Sequence, residues 1–369
     1  MRALKDFDWV LLFTILFLSA LGTAFIWSTT HWTPVRDAYA GQQLRWVAVA
    51  MLALIVIAAI DYARWAELSY PAYGLVILAL VLVPVFGIRS NNAQRWLMVP
   101  GTSMQFQPSE LAKVVVVMAL ARRLRYQKQF DSIWSLLPAL LIAGIPMAMI
   151  LVQPDLGTTL VFIPALFAML YVAGARWRHL GALVAAGAVI APVLWFFVMG
   201  VKQRGRITSF INPESDPFGA GWHLRQSMAA VASGGGTGEG FSSGAPVLLS
   251  RGFAGHTDFI FATITHEWGF VGGMLVLMLI FLFFSRGFEI ARSSREPYGR
   301  LLVTGFMAML AFQTVVNIGM TLRLCPITGV TLPFVSYGGT SLLVCFVMAA
   351  MVLNVGMRRK PVLAPGSFE

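Results

Sequence analysis

The sequence predicts an all-α polytopic membrane protein with ten transmembrane helices and one long extracytoplasmic loop between spans seven and eight. Three observations predict it. Hydrophobic residues make up 58% of the 369 and charged ones 12%, where a soluble domain carries about 25% charged residues; mean hydropathy is +0.75. The apolar residues fall into runs that meet or approach the roughly 20 residues a bilayer core of about 30 Å requires. The basic residues collect between alternate runs.

The first run, about residues 9–29, is too long for a signal peptide and lacks its small-residue cleavage pattern, so it reads as a retained span. Further runs follow at about 44–61, 70–87, 108–122, 134–152, 157–174, 179–200, 261–285, 300–321 and 339–357. An even number puts both termini on one side. One set of connections carries Arg64, the Arg122–Lys128 group, Arg176, Arg178, Arg286, Arg292, Arg295 and Arg300, and the termini add Arg2, Lys5, Arg358, Arg359 and Lys360. That set holds most of the 27 basic residues and is therefore cytoplasmic. The segment at about 201–260 then lies outside. Connections near 60 residues are uncommon unless functional or disordered, and Trp222, His223, Phe241, Phe253 and the turn-forming "INPESDPFGAGW" argue for order. The whole of 1–369 reads as one membrane domain without an internal repeat.

Several function classes drop out. A net charge of +11 would suit nucleic acid only on a basic soluble face, and here the charges punctuate apolar runs. Two cysteines, Cys325 and Cys345, make no disulfide framework. "HEWGF", with His266 and Glu267, lacks the second histidine of a zinc-hydrolase motif, and "SGGGTGEG" (233–240) lacks the ending of a phosphate loop and reads as a flexible loop. No metal site is expected from the protein alone.

Charged groups at membrane depth cost about 2.5–3.5 kcal/mol each on insertion scales, so each is a functional candidate. Glu110 and Lys113 stand one helical turn apart in "QPSELAKV", placed either for a structural ion pair or for substrate. Asp155 in "QPDLGT" suits the start of the sixth span as a cap. Asp258 stands beside His256 at the outer end of the eighth span, where it is either a general base for a hydroxyl or an N-cap. Arg95, Arg204, Arg206, Arg225 and Arg323 fall on the outer side against the charge trend. Guanidinium groups match phosphate geometry, so these point to an anionic, phosphorylated ligand or else to simple solvation.

These pieces converge. "NAQRWL" (92–97), "QPSELAK" (107–113), "QPDLGTTL" (153–160), "INPESDPFGAGWHLRQS" (211–227), "HTDFIF" (256–261), "VNIGM" (316–320) and "PITGVTLPFVSYGG" (326–339) resemble the SEDS family (shape, elongation, division and sporulation), its elongation branch most closely. The resemblance implies a ten-span glycosyltransferase of the bacterial inner membrane that polymerises lipid II into peptidoglycan on the outer face. It implies that Asp258 is the base, and its motifs map onto Arg95, Trp96, Glu110 and Lys113; beside it, the charge pattern adds Arg206 and His256 to the substrate set, with Asp155, Glu267 and Arg225 in support. Partners implied are lipid II, undecaprenyl-pyrophosphate-linked glycan, a class B penicillin-binding protein and the elongation machinery, with no nucleic acid. Mg²⁺ or Mn²⁺ is expected only as a companion of the lipid pyrophosphate. Where the family usually shows two glutamates after HTDF, this chain has His266 and Glu267. Two other readings stand beside catalysis: a lipid II flippase, and a scaffold that only holds the transpeptidase.

Overall fold

The structure is a computed structural model that describes residues 6–31, 38–90, 93–98, 105–127, 130–243 and 254–358. The basic residues Arg2, Lys5, Lys128, Arg359 and Lys360, and also Phe253, lie outside the described residues.

Helices occupy all ten apolar runs: α1 (Trp9–His31), α2 (Ala38–Ala59), α3 (Tyr62–Phe86), α4 (Pro108–Leu124), α5 (Leu137–Val152), α6 (Leu156–Val172), α7 (Trp177–Val193), α10 (Ile260–Ser293), α11 (Pro297–Thr321) and α12 (Gly339–Met357). Among the described residues, eight helical segments are long and apolar enough to cross a bilayer; α6 and α4 are 17 residues each and fall short. This is a multi-pass membrane fold.

Helix ends depart from the hydropathy runs where polar residues find partners. Asp61 caps α3 through the amide of Ala63 at 2.9 Å, so α3 starts well before residue 70 and carries Pro71 and Pro84 inside it. Asn354 donates to the carbonyl of Ile57 at 2.6 Å, and Arg358 to that of Ala59 at 3.0 Å, satisfying the open end of α2. α10 runs past residue 285 because Arg286 is tied to Asp8 at 2.8 Å, joining it to the start of α1.

The core is built on α4, α11 and α12. α12 packs on α2, α11 on α6 and α10, and α4 on α3. Gly305 lets α11 close on Val117 and Met169.

The connections after α3 and α7 are more ordered than an extended loop. Between α3 and α4 a three-stranded antiparallel sheet forms from β1 (Ile88–Ser90), β2 (Ala93–Met98) and β3 (Gln105–Phe106), with Trp96 opposite Ile88 and Leu97 opposite Phe106. The segment 201–260 holds α8 (Val201–Ile211) and α9 (Ala220–Ser233). α9 lies against α10.

The expectation of a flexible loop at 233–240 is corrected. This glycine turn is docked on a break in α10, where Gly269 takes φ 63°. Backbone amides cross between them: Glu239 to the His266 carbonyl at 3.1 Å, Gly240 to that of Glu267 at 3.0 Å, Phe270 to Gly235 at 2.9 Å and Val271 to Gly236 at 3.2 Å. The donors and acceptors opened by the break are thereby paired, which only backbones stripped of side chains approach closely enough to do.

Candidate functional site

A cavity of about 790 Å³ opens among the helix ends on the side that carries the β1–β3 sheet. Its contributors come from eight separated stretches of sequence: the N-terminal part of α2, β2, the first turns of α4 and α6, α8, α11, and the segments before α10 and α12. Seven of the ten residues singled out from sequence line it: Arg95, Trp96, Glu110, Lys113, Asp155, Arg206 and Asp258.

Asp258 sits in a turn just ahead of α10 whose backbone is fixed from outside. Three consecutive carbonyls accept hydrogen bonds, His256 from the amide of Tyr337 at 3.0 Å, Thr257 from Ser336 Oγ at 2.7 Å and Asp258 from Asn317 Nδ2 at 2.9 Å. The carboxylate itself caps nothing: α10 begins after Phe259 without a side-chain cap, which corrects the N-cap reading. Among the described residues its oxygens have no hydrogen bond or ion pair. Burial raises its pKa above the ordinary carboxylate value, and the Arg206 guanidinium opposes that rise. Arg206 donates to the carbonyl of Thr328 at 2.9 Å, which aims its planar end at the cavity. Its own pKa is lowered by burial, with Asp258 working in the other direction.

Gly329 stands between them. It takes φ +77°, and a Cβ there would lie 3.5 Å from Arg206 Nη1 and 3.7 Å from Asp258 Oδ2.

The opposite wall is held by ion pairs. Lys113 Nζ meets Glu110 Oε2 at 2.6 Å, both side chains nearly sealed from solvent. Asp155 is the expected cap: it accepts from the Thr158 amide at 3.3 Å and hydroxyl at 3.0 Å, from Gln107 Nε2 at 3.0 Å, and faces Arg95 at 3.8 Å. Arg95 also donates to the carbonyls of Gln153, at 3.0 Å, and Pro154. Arg45 adds a fourth cation, against three carboxylates.

Three expected residues lie elsewhere. His256 packs its ring on Tyr39, centroids 5.0 Å apart, behind the cavity wall, and burial lowers its pKa. Glu267 accepts from Ser28 of α1 and from the Ser242 amide at 3.2 Å, locking the glycine turn. Arg225 is exposed and donates to the Pro217 carbonyl at 3.1 Å. Arg204 likewise turns to the Phe196 carbonyl at 3.0 Å. Sequence reasoning missed Gln42, Arg45 and Trp46 because they sit at the edge of an apolar run, and Gln313 because it is uncharged within one. A lone arginine at the outer edge of a span was the available signal for Arg45.

A helical membrane protein with a polar, cation-rich cavity at one end of its helices defines a class of integral membrane protein suited to an anionic ligand. The family model described as "Cell cycle protein", covering FtsW, RodA and SpoVE, matches residues 8–361, and the chain belongs to this SEDS family. Its relatives place it in the RodA branch. It is 38% identical over 318 residues to the peptidoglycan glycosyltransferase MrdB of Escherichia coli (strain K12), covering 85% of this chain and 84% of that protein. It is 30% identical over 432 residues to the peptidoglycan glycosyltransferase RodA of Treponema pallidum, covering 97% and 99%. Among solved structures, the rod shape-determining protein RodA of Thermus thermophilus matches with a TM-score of 0.72 at 31% identity, covering 96% and 98%. A chain from a study of "polymerization and crosslinking by a peptidoglycan synthase complex" matches with a TM-score of 0.81 at 32% identity, covering 96% and 98%.

Proposed function

We propose that this chain, a peptidoglycan glycosyltransferase by family, polymerises lipid II at the described cavity with Asp258 as general base. The observation that carries the reading is a carboxylate with no protein partner among the described residues, held by its backbone toward Arg206 in a cavity lined by four cations. Asp258 takes the proton from the 4-hydroxyl of the acceptor GlcNAc. The freed oxygen forms a bond to the anomeric carbon of the growing strand as the bond from that carbon to undecaprenyl pyrophosphate breaks. A single displacement inverts that carbon. Charge developing on the pyrophosphate is met by Arg206 and Arg95, the kind of fixed electrostatic stabilisation that carries much of enzymatic rate enhancement. Trp96 offers a flat face to a sugar ring.

Asp155 spends its oxygens on Thr158, Gln107 and Arg95, and among the described residues no three His, Cys, Asp or Glu side chains converge on a metal site. A Mg²⁺ or Mn²⁺ ion that accompanied the pyrophosphate would meet Asp258, the cavity carboxylate without a hydrogen bond or ion pair among the described residues, and no step above runs through it.

In this reading the chain crosses the bacterial inner membrane ten times, counting α4 and α6 as short spans packed inside the bundle; the even number leaves both termini on one side, and the basic connections support the cytoplasm as that side, with the cavity on the outer face. The exposed apolar flanks leave room for a single-span partner, a class B penicillin-binding protein of the elongation machinery. The test is glycan polymer from labelled lipid II, made by the purified chain with that partner. Asp258→Asn should lower the rate by about 10²–10⁴-fold, the usual contribution of a general base. Polymer made at the wild-type rate by a folded Asp258→Asn would end the proposal that Asp258 is the base, and no polymer even from the wild-type chain with its partner would favour transport or a scaffold.

A further inference from the structure

The base turn and the Arg206 platform belong to different segments of chain, and one buried side chain joins them. Asn317 lies on α11 with 0% of its surface exposed. Its single Nδ2 donates to the carbonyl of Asp258 at 2.9 Å and to that of Val330 at 2.8 Å. Val330 follows Gly329, which fills the space between Asp258 and Arg206, and Thr328 before it holds the Arg206 guanidinium at 2.9 Å. One amide therefore spans from the peptide of the proposed base to the loop that aims the proposed cation. Ser336 and Tyr337 hold the neighbouring carbonyls of Thr257 and His256. Neither of those bonds reaches the carbonyl of Asp258 itself.

An amide inside an apolar helix is costly enough that a specific use is expected of it. A carbonyl bridge that sets two reacting groups in register matters because displacement by about 1 Å can cost roughly 10²-fold in rate.

We infer that Asn317 is a positioning residue for glycan polymerisation, fixing the distance between the Asp258 carboxylate and the Arg206 guanidinium without touching substrate. This rests on Asp258 being the base. Asn317→Leu keeps the branching at Cγ and removes both hydrogen bonds, at the cost of added bulk that the Asp258→Glu background controls for. With labelled lipid II and the partner transpeptidase present, kcat per folded molecule should fall about 10–100-fold while KM stays within about threefold. A second background separates positioning from general loosening. In Asp258→Glu the carboxylate is already out of register, and adding Asn317→Leu there should lower kcat by less than about threefold, since residues acting as a unit are non-additive.

A kcat for Asn317→Leu within twofold of wild type overturns the inference, and so does an equal fold loss in both backgrounds. If Asn317→Leu does not fold, Asn317→Ser is read by the same criteria. Failure of the underlying reading looks different: Asp258→Asn would polymerise at the wild-type rate whatever Asn317 does.

Discussion

Arg206 and Asp258 face one another across Gly329, and a methyl group added to that glycine would stand 3.5 Å from Arg206 Nη1 and 3.7 Å from Asp258 Oδ2. Those separations are ordinary contacts, so Gly329→Ala has room. Its φ of +77° is what alanine resists, at about 1–2 kcal/mol for an L-residue. The expected outcome is a loss of that size in thermal stability. Polymerisation should fall further than stability does, because the methyl occupies the space a reacting hydroxyl needs. Comparing Tm with polymer yield from labelled lipid II checks both.

The pH profile follows from Asp258. Burial raises its pKa above the ordinary 3.8, and Arg206 restrains the rise. A base acts when deprotonated, so kcat/KM should fall as pH drops through the raised value. Removing the restraint with Arg206→Gln should move this acidic limb to higher pH, and Arg206→Lys should move it less. The sign for stability is opposite. A carboxyl with a raised folded pKa lends stability that is fully present below its unfolded value and is lost as pH rises through the folded one. As the proposed base, Asp258 would therefore act in the protonation state that the fold disfavours. A limb that stays in place in Arg206→Gln would detach the guanidinium from the titration.

Glu110 and Lys113 make a buried ion pair at 2.6 Å, with side chains 9% and 2% exposed. Breaking such a pair from one side leaves a charge without its counterion and costs about 3–5 kcal/mol, whereas replacing both partners is far milder. Lys113→Met should therefore lower Tm sharply, and Glu110→Gln combined with Lys113→Met should recover most of the loss. If the pair also holds substrate, the recovered double variant will remain slow. Melting temperature and KM for lipid II separate the two roles.

The legible part of this protein was the part written in charge. Asp258, Glu110, Lys113, Asp155, Arg95 and Arg206 stand out because an ionised group beside an apolar run is expensive, and the fold gathers all six around one cavity. Arg225 and Glu267 stood out for the same reason and are employed elsewhere, on the Pro217 carbonyl and on Ser28. Charge marks a cost; where that cost is met depends on tertiary contacts that spacing does not contain. Gln313 and Asn317 carry no charge and lie inside a helix that would read as apolar without them, so hydropathy passes over them. Most helices were legible from run length, but their ends were not, since Asp61, Asn354 and Arg358 set those through long-range hydrogen bonds.

The glycine turn shows the same limit and gives the last prediction. "SGGGTGEG" has the composition of a flexible linker, yet its glycines do unequal work. A Cβ on Gly238 would overlap the Glu267 carbonyl, and its φ of +84° is unfavourable for alanine as well. A Cβ on Gly234 would overlap the carbonyl of Thr265. Gly236 has nothing within 4 Å of such a Cβ. Gly238→Ala should therefore undock the turn from the break at Gly269 and lower Tm, with added hydrogen exchange at the amides of Glu239, Gly240, Phe270 and Val271, whose bonds close the break. Gly236→Ala should match wild type in both measurements. A flexible linker would tolerate either change equally, so equal Tm values for the two variants would restore that reading. Because Glu267 also reaches Ser28 on α1, undocking should be felt in the packing of α1 against α10 before it is felt at Asp258, whose turn is held separately by Asn317, Ser336 and Tyr337.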